Sequence, residues 1–221
     1  LSPLNQQRHQ LRRLLLESRD TAIGKAYGFH DILTTRDLIG AFQQNVPIHD
    51  YDKIYNDWWS KARNDEMDVS WPGQIPWFAV SSGTSGASSK YIPVTAEMIR
   101  AMKKVSRRMF CDLSKFDLTP DQFTRQMLMV GSCTRLVREG EHFVGDMSGI
   151  IGMNRPFWLE RYYRPGKHIT DLPEWDLRIE KIAEEAPGWD IGFIVGNVAW
   201  VQLIFERIIE RHKLNNIHDI C

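Results

Sequence analysis

Residues 77–95 have the sequence Trp77-Phe78-Ala79-Val80-Ser81-Ser82-Gly83-Thr84-Ser85-Gly86-Ala87-Ser88-Ser89-Lys90-Tyr91-Ile92-Pro93-Val94-Thr95. The apolar runs at both ends predict buried strands, and nine small residues followed by a lysine lie between them. Backbone N–H groups and hydroxyls in such a loop cradle phosphates, and lysine adds a compact positive charge. A flexible Gly/Ser linker is the alternative, but the flanking strands argue against it. We therefore predict a phosphate-binding loop.

The spacing within this loop excludes two common nucleotide motifs. A Walker A loop needs glycine, four residues and then Gly-Lys followed by Ser or Thr, and no such spacing occurs in the chain. The loop also lacks the G-x-G-x-x-G fingerprint of dinucleotide-binding folds. The order Ser-Ser-Gly-Thr-Ser followed by lysine is similar to the loop of adenylate-forming enzymes, which grips the pyrophosphate end of ATP.

Further segments extend this similarity over most of the chain, in the expected order. They are Val46-Pro47-Ile48-His49-Asp50-Tyr51, Trp71-Pro72-Gly73, Gly145-Asp146-Met147-Ser148, Pro156-Phe157-Trp158 and Gly196-Asn197-Val198-Ala199-Trp200. With them the chain resembles the auxin-responsive acyl acid–amido synthetases, the Gretchen Hagen three family, in their bacterial form. Two positions depart from the family pattern. Glycine often stands at the position of Ala87, and proline usually precedes the small residue and tryptophan around Ala199.

The resemblance implies a fold and a reaction. The fold is α/β (mixed α+β), the N-terminal part of the large domain of adenylate-forming, acyl-CoA synthetase/luciferase-like enzymes, with helices packed on mixed sheets. In the reaction, a small carboxylic acid attacks the α-phosphate of Mg·ATP to give an acyl-adenylate, and the amine of an amino acid then displaces AMP. The chain is thus expected to be a ligase that forms an amide bond and uses ATP and Mg²⁺. The reaction needs no Ser-His-Asp or Cys-His nucleophile, and none is evident.

The same resemblance assigns the phosphate-binding residues to the loop. Ser81, Ser82, Thr84 and Ser85 would donate hydroxyl or amide hydrogens to phosphate oxygens, and Gly83 would let the backbone approach closely. For Lys90 two roles stay open. It either neutralises phosphate charge or anchors the loop through a carboxylate partner.

Candidate substrate-binding residues lie further along the chain. A long helix is predicted after Thr95, and in the resembled family this helix helps to line the acyl pocket. Arg107 or Arg108 on it would then meet a substrate carboxylate, although a solvated basic face explains most of its cations. Trp200 follows a predicted strand-to-helix turn that would place it near substrate, and core packing explains it equally well.

The resemblance also bears on the extent of the chain. We expect one partial N-terminal adenylate-forming domain over residues 1–221, with a helical region at about 1–66, the loop and strands at about 67–170 and a βα region at about 171–221. The C-terminal domain of the family is expected to be absent, and the chain alone inactive in full turnover. The alternatives are a non-catalytic domain that binds nucleotide or acyl ligand, and an interaction scaffold.

Capping residues and periodicity predict the other elements. Ser2, Thr35 and Asp50 are expected to begin three N-terminal helices. Short apolar segments at 127–130, 134–137 and 142–144 predict antiparallel hairpins, and Gly145-Asp146 and Ser148-Gly149 predict bends. An amphipathic helix is expected at 174–185. A strand at 191–195 then leads through Gly196-Asn197 into a helix at 198–213.

The composition is that of an ordinary globular domain. With 28 basic and 28 acidic residues the net charge is zero, so neither nucleic acid nor an anionic membrane is expected as the main partner. The three cysteines form no metal or disulfide spacing and the histidines no H-x-x-x-H pair, so we predict no structural metal and a reducing, cytoplasmic location. No apolar run approaches the length needed to span a bilayer.

Overall fold

A computed structural model describes residues 2–81, 89–131 and 133–219. Helices and two small sheets occur along the chain, which confirms the predicted α/β class. The chain forms two compact units, one of Leu1–Ala96 with Arg138–Val144 and one of Glu97–Val137 with Gly145–Cys221.

The described residues contain the following elements. The helices are α1 (Pro3–Ser18), α2 (Ala22–Ala26), α3 (Phe29–Thr34), α4 (Leu38–Asn45), α5 (Tyr51–Ile54), α6 (Ser60–Arg63), α7 (Ala96–Asp112), α8 (Met147–Met153), α9 (Lys167–Thr170), α10 (Trp175–Glu185) and α11 (Val198–His212). The strands are β1 (Trp77–Ser81), β2 (Lys90–Val94), β3 (Gln126–Val130), β4 (Val137–Glu139), β5 (His142–Gly145), β6 (Tyr163–Arg164) and β7 (Ile191–Gly196). Tyr55–Trp59 is a π-helical stretch between α5 and α6, and short 3-10 helices lie at Leu113–Lys115, Pro120–Phe123, Phe157–Tyr162, Ala186–Gly188 and Ile217–Asp219.

Two of the N-terminal helices, α1 and α5, begin at the side-chain caps that the sequence predicts. The Ser2 hydroxyl accepts the N–H of Asn5 at 3.3 Å, and the Asp50 carboxylate accepts the N–H of Lys53 at 2.8 Å. The prediction for Thr35 was wrong, because Asp37 caps α4 two residues later. A first core then forms between α1, α3 and α4 from apolar side chains that are each less than a tenth exposed: Leu15, Phe29, Ile32, Leu33 and Leu38.

The sheet of the first unit has the strand order β2-β1-β5-β4. β1 and β2 are antiparallel, from Trp77 opposite Val94 to Ser81 opposite Lys90, so the two strands predicted around the loop are confirmed. Phe78 is fully buried in a second core between the sheet and the segment that follows α6.

The sheet of the second unit corrects the predicted hairpins. β3 is the central strand of the order β6-β3-β7, and it pairs in parallel with both neighbours. Of the hairpins expected between residues 127 and 144, the described residues contain only β4–β5, which turns around Gly140 and Glu141. The segment expected to bend near Ser148 is instead the helix α8.

Two long helices, α10 and α11, pack against this parallel sheet, and both were predicted within two residues of their bounds. Their apolar faces and the sheet enclose the third core, whose buried members are Leu128, Val130, Ile169, Ile182, Ala183, Ala186, Ile204 and Ile208. The apolar side chains of α7 are buried to very different degrees. Ile99 is 4% exposed, whereas Val105 is 59% and Met109 is 65% exposed.

Candidate functional site

The ends of the predicted phosphate-binding loop lie opposite each other in the sheet of the first unit. Ser81, the last residue of β1, lies directly opposite Lys90, the first residue of β2. We call this pair the loop base. The other predicted phosphate ligands, Ser82, Gly83, Thr84 and Ser85, lie outside the described residues, and their roles stay a prediction.

The ammonium group of Lys90 lies near an aromatic ring at the loop base. Its Nζ is 5.1 Å from the ring centroid of Tyr51, and the lysine is exposed. Within the described ranges Lys90 pairs with no carboxylate, although a carboxylate anchor was one of its two predicted roles. A cation held by a ring at an exposed site keeps its charge available to an incoming anion.

Tyr51 fixes the start of β2 as well as facing Lys90. Its hydroxyl accepts the backbone N–H of Tyr91 at 2.7 Å, and its ring stacks on Tyr55 with centroids 5.6 Å apart. Asp50 holds the first turn of α5 and so sets the position of Tyr51. The sequence patterns assigned no binding role to the N-terminal helices, so this contact was not predicted. The only signal for it was that Tyr51 closes one of the segments shared with the resembled family.

Arg63 connects α6 to two strands of the sheet. Its Cζ lies 3.5 Å from the ring centroid of Tyr91, its Nη2 donates to Glu139 at 2.9 Å, and its Nη1 donates to the Tyr55 hydroxyl at 3.1 Å. Burial lowers the pKa of Arg63, but the hydrogen bonds to Glu139 and Tyr55 outweigh burial and raise it above its ordinary value. Arg63 is therefore a permanent cation that braces β2 from behind the loop base.

Asp65 and His142 form a second connection between the same elements. Nδ1 of the buried His142 donates to the Asp65 carboxylate at 3.0 Å, and the side-chain amide of Gln74 and the backbone N–H of Glu141 donate to the same carboxylate. The hydrogen bond from His142 is the main reason why the pKa of Asp65 lies below its ordinary value. Asp65 has a φ of 65°, a left-handed conformation that is uncommon for a residue other than glycine.

An open polar cleft of about 450 Å³ lies beside these two connections. Tyr55, Arg63, Asp65, Glu139 and His142 contribute to its walls. The charged groups that line the cleft already pair with each other. We therefore interpret them as structural groups that support β2 and the β4–β5 hairpin.

The predicted substrate residues lie in the second unit. Arg107 and Arg108 are exposed on α7. Trp200 is 36% exposed and packs on Trp175 with ring centroids 4.6 Å apart. The side chain of Asn197 accepts the N–H of Ala199 at 2.9 Å, so it has the capping role that its position suggested.

No helix in the described ranges is both long and apolar enough to cross a membrane. Over the same residues, histidine, cysteine and acidic side chains form no group of three or more that could hold a metal ion.

Comparison with known proteins identifies relatives of this fold. The model of the GH3 family N-terminal domain matches residues 2–186. A solved structure of an Arabidopsis GH3.15 acyl acid amido synthetase in complex with 2,4-DB superposes with a TM-score of 0.69 at 19% identity, and the match covers 91% of this chain and 35% of the enzyme. A second GH3.15 acyl acid amido synthetase structure gives a TM-score of 0.68 at 17% identity, with the same coverage. The chain thus spans about a third of the length of these relatives. Among curated proteins there is no match.

Proposed function

Since this chain belongs to the GH3 family, we propose that it acts as part of an ATP-dependent acyl acid–amido synthetase, which adenylates a carboxylic acid and conjugates it to an amino acid. The observation that carries the proposal is the antiparallel pairing of β1 and β2, which places Ser81 opposite Lys90 at the two ends of the serine- and glycine-rich loop. The fold shared with two proteins described as acyl acid amido synthetases supports it.

The loop acts in this proposal by position and charge. Ser81, Ser82, Gly83, Thr84 and Ser85 bind phosphate oxygens through N–H and hydroxyl groups. As the acid attacks the α-phosphate, negative charge grows on the departing pyrophosphate. Fixed donors aimed at that charge lower the barrier because they need no reorganisation during the reaction.

Lys90 neutralises phosphate charge in this scheme. Its ammonium faces Tyr51 and not a carboxylate of the described residues, so an anion meets a cation whose charge is not already neutralised. Tyr51 also holds the N–H of Tyr91, which fixes the direction in which β2 leaves the loop. Mg²⁺ is proposed to enter with the nucleotide, since this cation prefers phosphate oxygens and water as ligands.

The acyl substrate is proposed to contact residues of the second unit. Arg107 and Arg108 are exposed cations that suit a carboxylate, and Trp200 offers a partly exposed ring to an apolar body. Which acid and which amino acid react is left to a substrate screen.

Calorimetric titration of this chain with Mg·ATP tests the role of the loop. We expect Lys90→Met to weaken ATP binding by about 10- to 100-fold, the usual cost of a charge-assisted contact. The matched control is Lys61→Met, because the Lys61 ammonium also lies over a ring, 4.9 Å from that of Trp58, but away from the loop. Thr84→Val tests the predicted hydroxyl contact.

The outcomes separate the candidate functions. Weaker ATP binding in Lys90→Met and Thr84→Val, with Lys61→Met unchanged, supports the proposed nucleotide loop. Equal affinity in all variants would contradict it and favour an interaction scaffold. ATP binding by a protein that never activates an acid would indicate a non-catalytic binding domain.

A further inference from the structure

Three side chains of the first unit form a hydrogen-bonded bridge close in sequence and space to Tyr51. The indole N–H of Trp58 donates to the Tyr27 hydroxyl at 3.2 Å, and that hydroxyl lies 2.9 Å from Nε2 of His49. Because indole can only donate, the phenol oxygen accepts from Trp58 and keeps its own hydrogen for Nε2 of His49. Both rings also pack edge-on against the ring of Tyr27, with centroids 5.8 Å away. We call these three residues the Tyr27 bridge.

The Tyr27 bridge anchors a segment that burial does not hold. His49 lies between α4 and α5, and its neighbour Ile48 is 98% exposed. Hydrogen bonds fix direction as well as distance, whereas apolar burial is non-directional. The bridge therefore sets where the chain enters α5, whose first residue is Tyr51.

The π-helical stretch Tyr55–Trp59 carries the other end of the bridge. Trp58 donates to the Tyr27 hydroxyl, whereas Trp59 packs edge-on against the ring of Tyr51 with centroids 6.2 Å apart. Single π-helical turns within helices are frequent at functional sites. The bridge thus joins the residues just before Tyr51 to the stretch whose rings pack against it.

Lys90 depends on the position of Tyr51. The lysine is exposed, and its Nζ lies 5.1 Å from the centroid of the Tyr51 ring. A ring attracts a cation over its face and within about 6 Å of its centroid, so a ring that tilts or shifts no longer directs the ammonium group. The Tyr51 hydroxyl also accepts the N–H of Tyr91 at 2.7 Å, and the same movement would loosen the start of β2.

We propose that the Tyr27 bridge positions Lys90 for the phosphates of Mg·ATP. The three residues of the bridge touch no phosphate in this scheme. They act through Tyr51, whose ring orients the ammonium group and whose hydroxyl holds the N–H of Tyr91. The inference rests on the proposed function, because the anion that Lys90 meets there is the nucleotide.

Calorimetric titration with Mg·ATP compares variants that change one hydrogen bond at a time. Tyr27→Phe keeps the ring and removes the hydroxyl. His49→Leu removes the acceptor, and His49→Gln restores one, since the side-chain oxygen of glutamine has a similar reach. The matched control is Tyr162→Phe, which removes a phenol hydroxyl that accepts from Arg161 at 2.8 Å, but in the second unit.

We expect Tyr27→Phe and His49→Leu to weaken Mg·ATP binding about 3- to 10-fold, the usual effect of one hydrogen bond. His49→Gln and Tyr162→Phe are expected to bind as the unaltered chain does. In the Lys90→Met background, Tyr27→Phe is expected to cause little further loss, because the ammonium group that the bridge positions is gone. A further loss as large as in the unaltered chain would show that the bridge does not act through Lys90.

Amide hydrogen exchange without nucleotide, measured by NMR, separates positioning from a general loss of stability. The Tyr91 amide is expected to exchange about 3- to 10-fold faster in Tyr27→Phe and His49→Leu. The amide of Phe143, which donates to Pro76 at 3.0 Å in the same unit, is expected to keep its rate. A general loss of stability would accelerate both amides.

The outcomes also separate this inference from the proposed function. An unaltered chain that does not bind Mg·ATP would overturn the proposed function and this inference with it. Binding that weakens in Lys90→Met but not in Tyr27→Phe or His49→Leu, or an unchanged exchange rate of the Tyr91 amide in both bridge variants, would overturn this inference alone. Should Tyr27→Phe not fold, His49→Leu and His49→Gln decide in the same way.

Discussion

Arg63 gives the sharpest prediction about how the loop base is supported. We consider Arg63→Met, which keeps an apolar stem of similar length and removes the guanidinium group. Three contacts are lost together: the ion pair with Glu139, the hydrogen bond to Tyr55 and the contact with the ring of Tyr91.

The expected loss of stability follows from these contacts. The Arg63–Glu139 pair is only partly exposed, so it is expected to contribute about 1 kcal/mol, the upper end for surface pairs. The hydrogen bond to Tyr55 contributes about 1 kcal/mol, and the contact with Tyr91 about 0.5–1 kcal/mol. Arg63→Met is therefore expected to reduce the free energy of unfolding by about 2.5–3 kcal/mol.

Urea unfolding followed by circular dichroism and tryptophan fluorescence measures this loss. The matched control is Arg138→Met, because Arg138 pairs with Glu141 on the same hairpin while both side chains are more than 60% exposed. That variant is expected to lose about 0.5 kcal/mol or less. A double-mutant cycle with Glu139→Gln isolates the ion pair. If Arg63→Met costs no more than Arg138→Met, Arg63 does not brace the strand.

Two further predictions concern the connection between Asp65 and His142. Folding lowers the pKa of Asp65 below its ordinary value. The ionised carboxylate therefore stabilises the fold fully when the pH is above the ordinary pKa, and this stabilisation is lost as the pH falls through the lower pKa of the folded protein. Asp65→Asn should thus be less stable at neutral pH and should lose less on acidification, and parallel pH profiles of the two proteins would argue against this. Gly140→Ala should destabilise more than Gly73→Ala in urea. Both glycines have positive φ, but a Cβ on Gly140 would lie 2.1 Å from the Asp65 carboxylate, while one on Gly73 would meet nothing within 4 Å. Equal losses of unfolding free energy in the two variants would show that backbone strain alone matters.

Local signals in the sequence predicted the elements that local interactions fix. Asn197 predicted the start of α11 because a cap acts within one helical turn. The strands on either side of the loop were predicted because the apolar run of β1 changes to small residues at Ser81 and a second apolar run begins after Lys90. Thr35 misled because two residues that can cap a helix lie close together, and Asp37 took that role.

Contacts between distant parts of the chain left no such signal. The apolar run of β3 fits a parallel strand as well as a hairpin, and its partners β6 and β7 occur much later in the sequence. Arg63 and Glu139 are 76 positions apart, and Asp65 and His142 are 77 apart. The Tyr27 bridge likewise joins residues that are 22 and 31 positions apart.

Exchange of labelled pyrophosphate into ATP, dependent on a carboxylic acid, tests the central proposal most directly. The assay uses the protein purified from its natural host and a panel of small carboxylic acids. No amino acid is added, so that only the adenylation step is detected. We predict acid-dependent exchange that falls at least tenfold in Lys90→Met and is unchanged in Lys61→Met. ATP binding at the loop with no exchange for any acid, or exchange that survives Lys90→Met undiminished, would contradict the account.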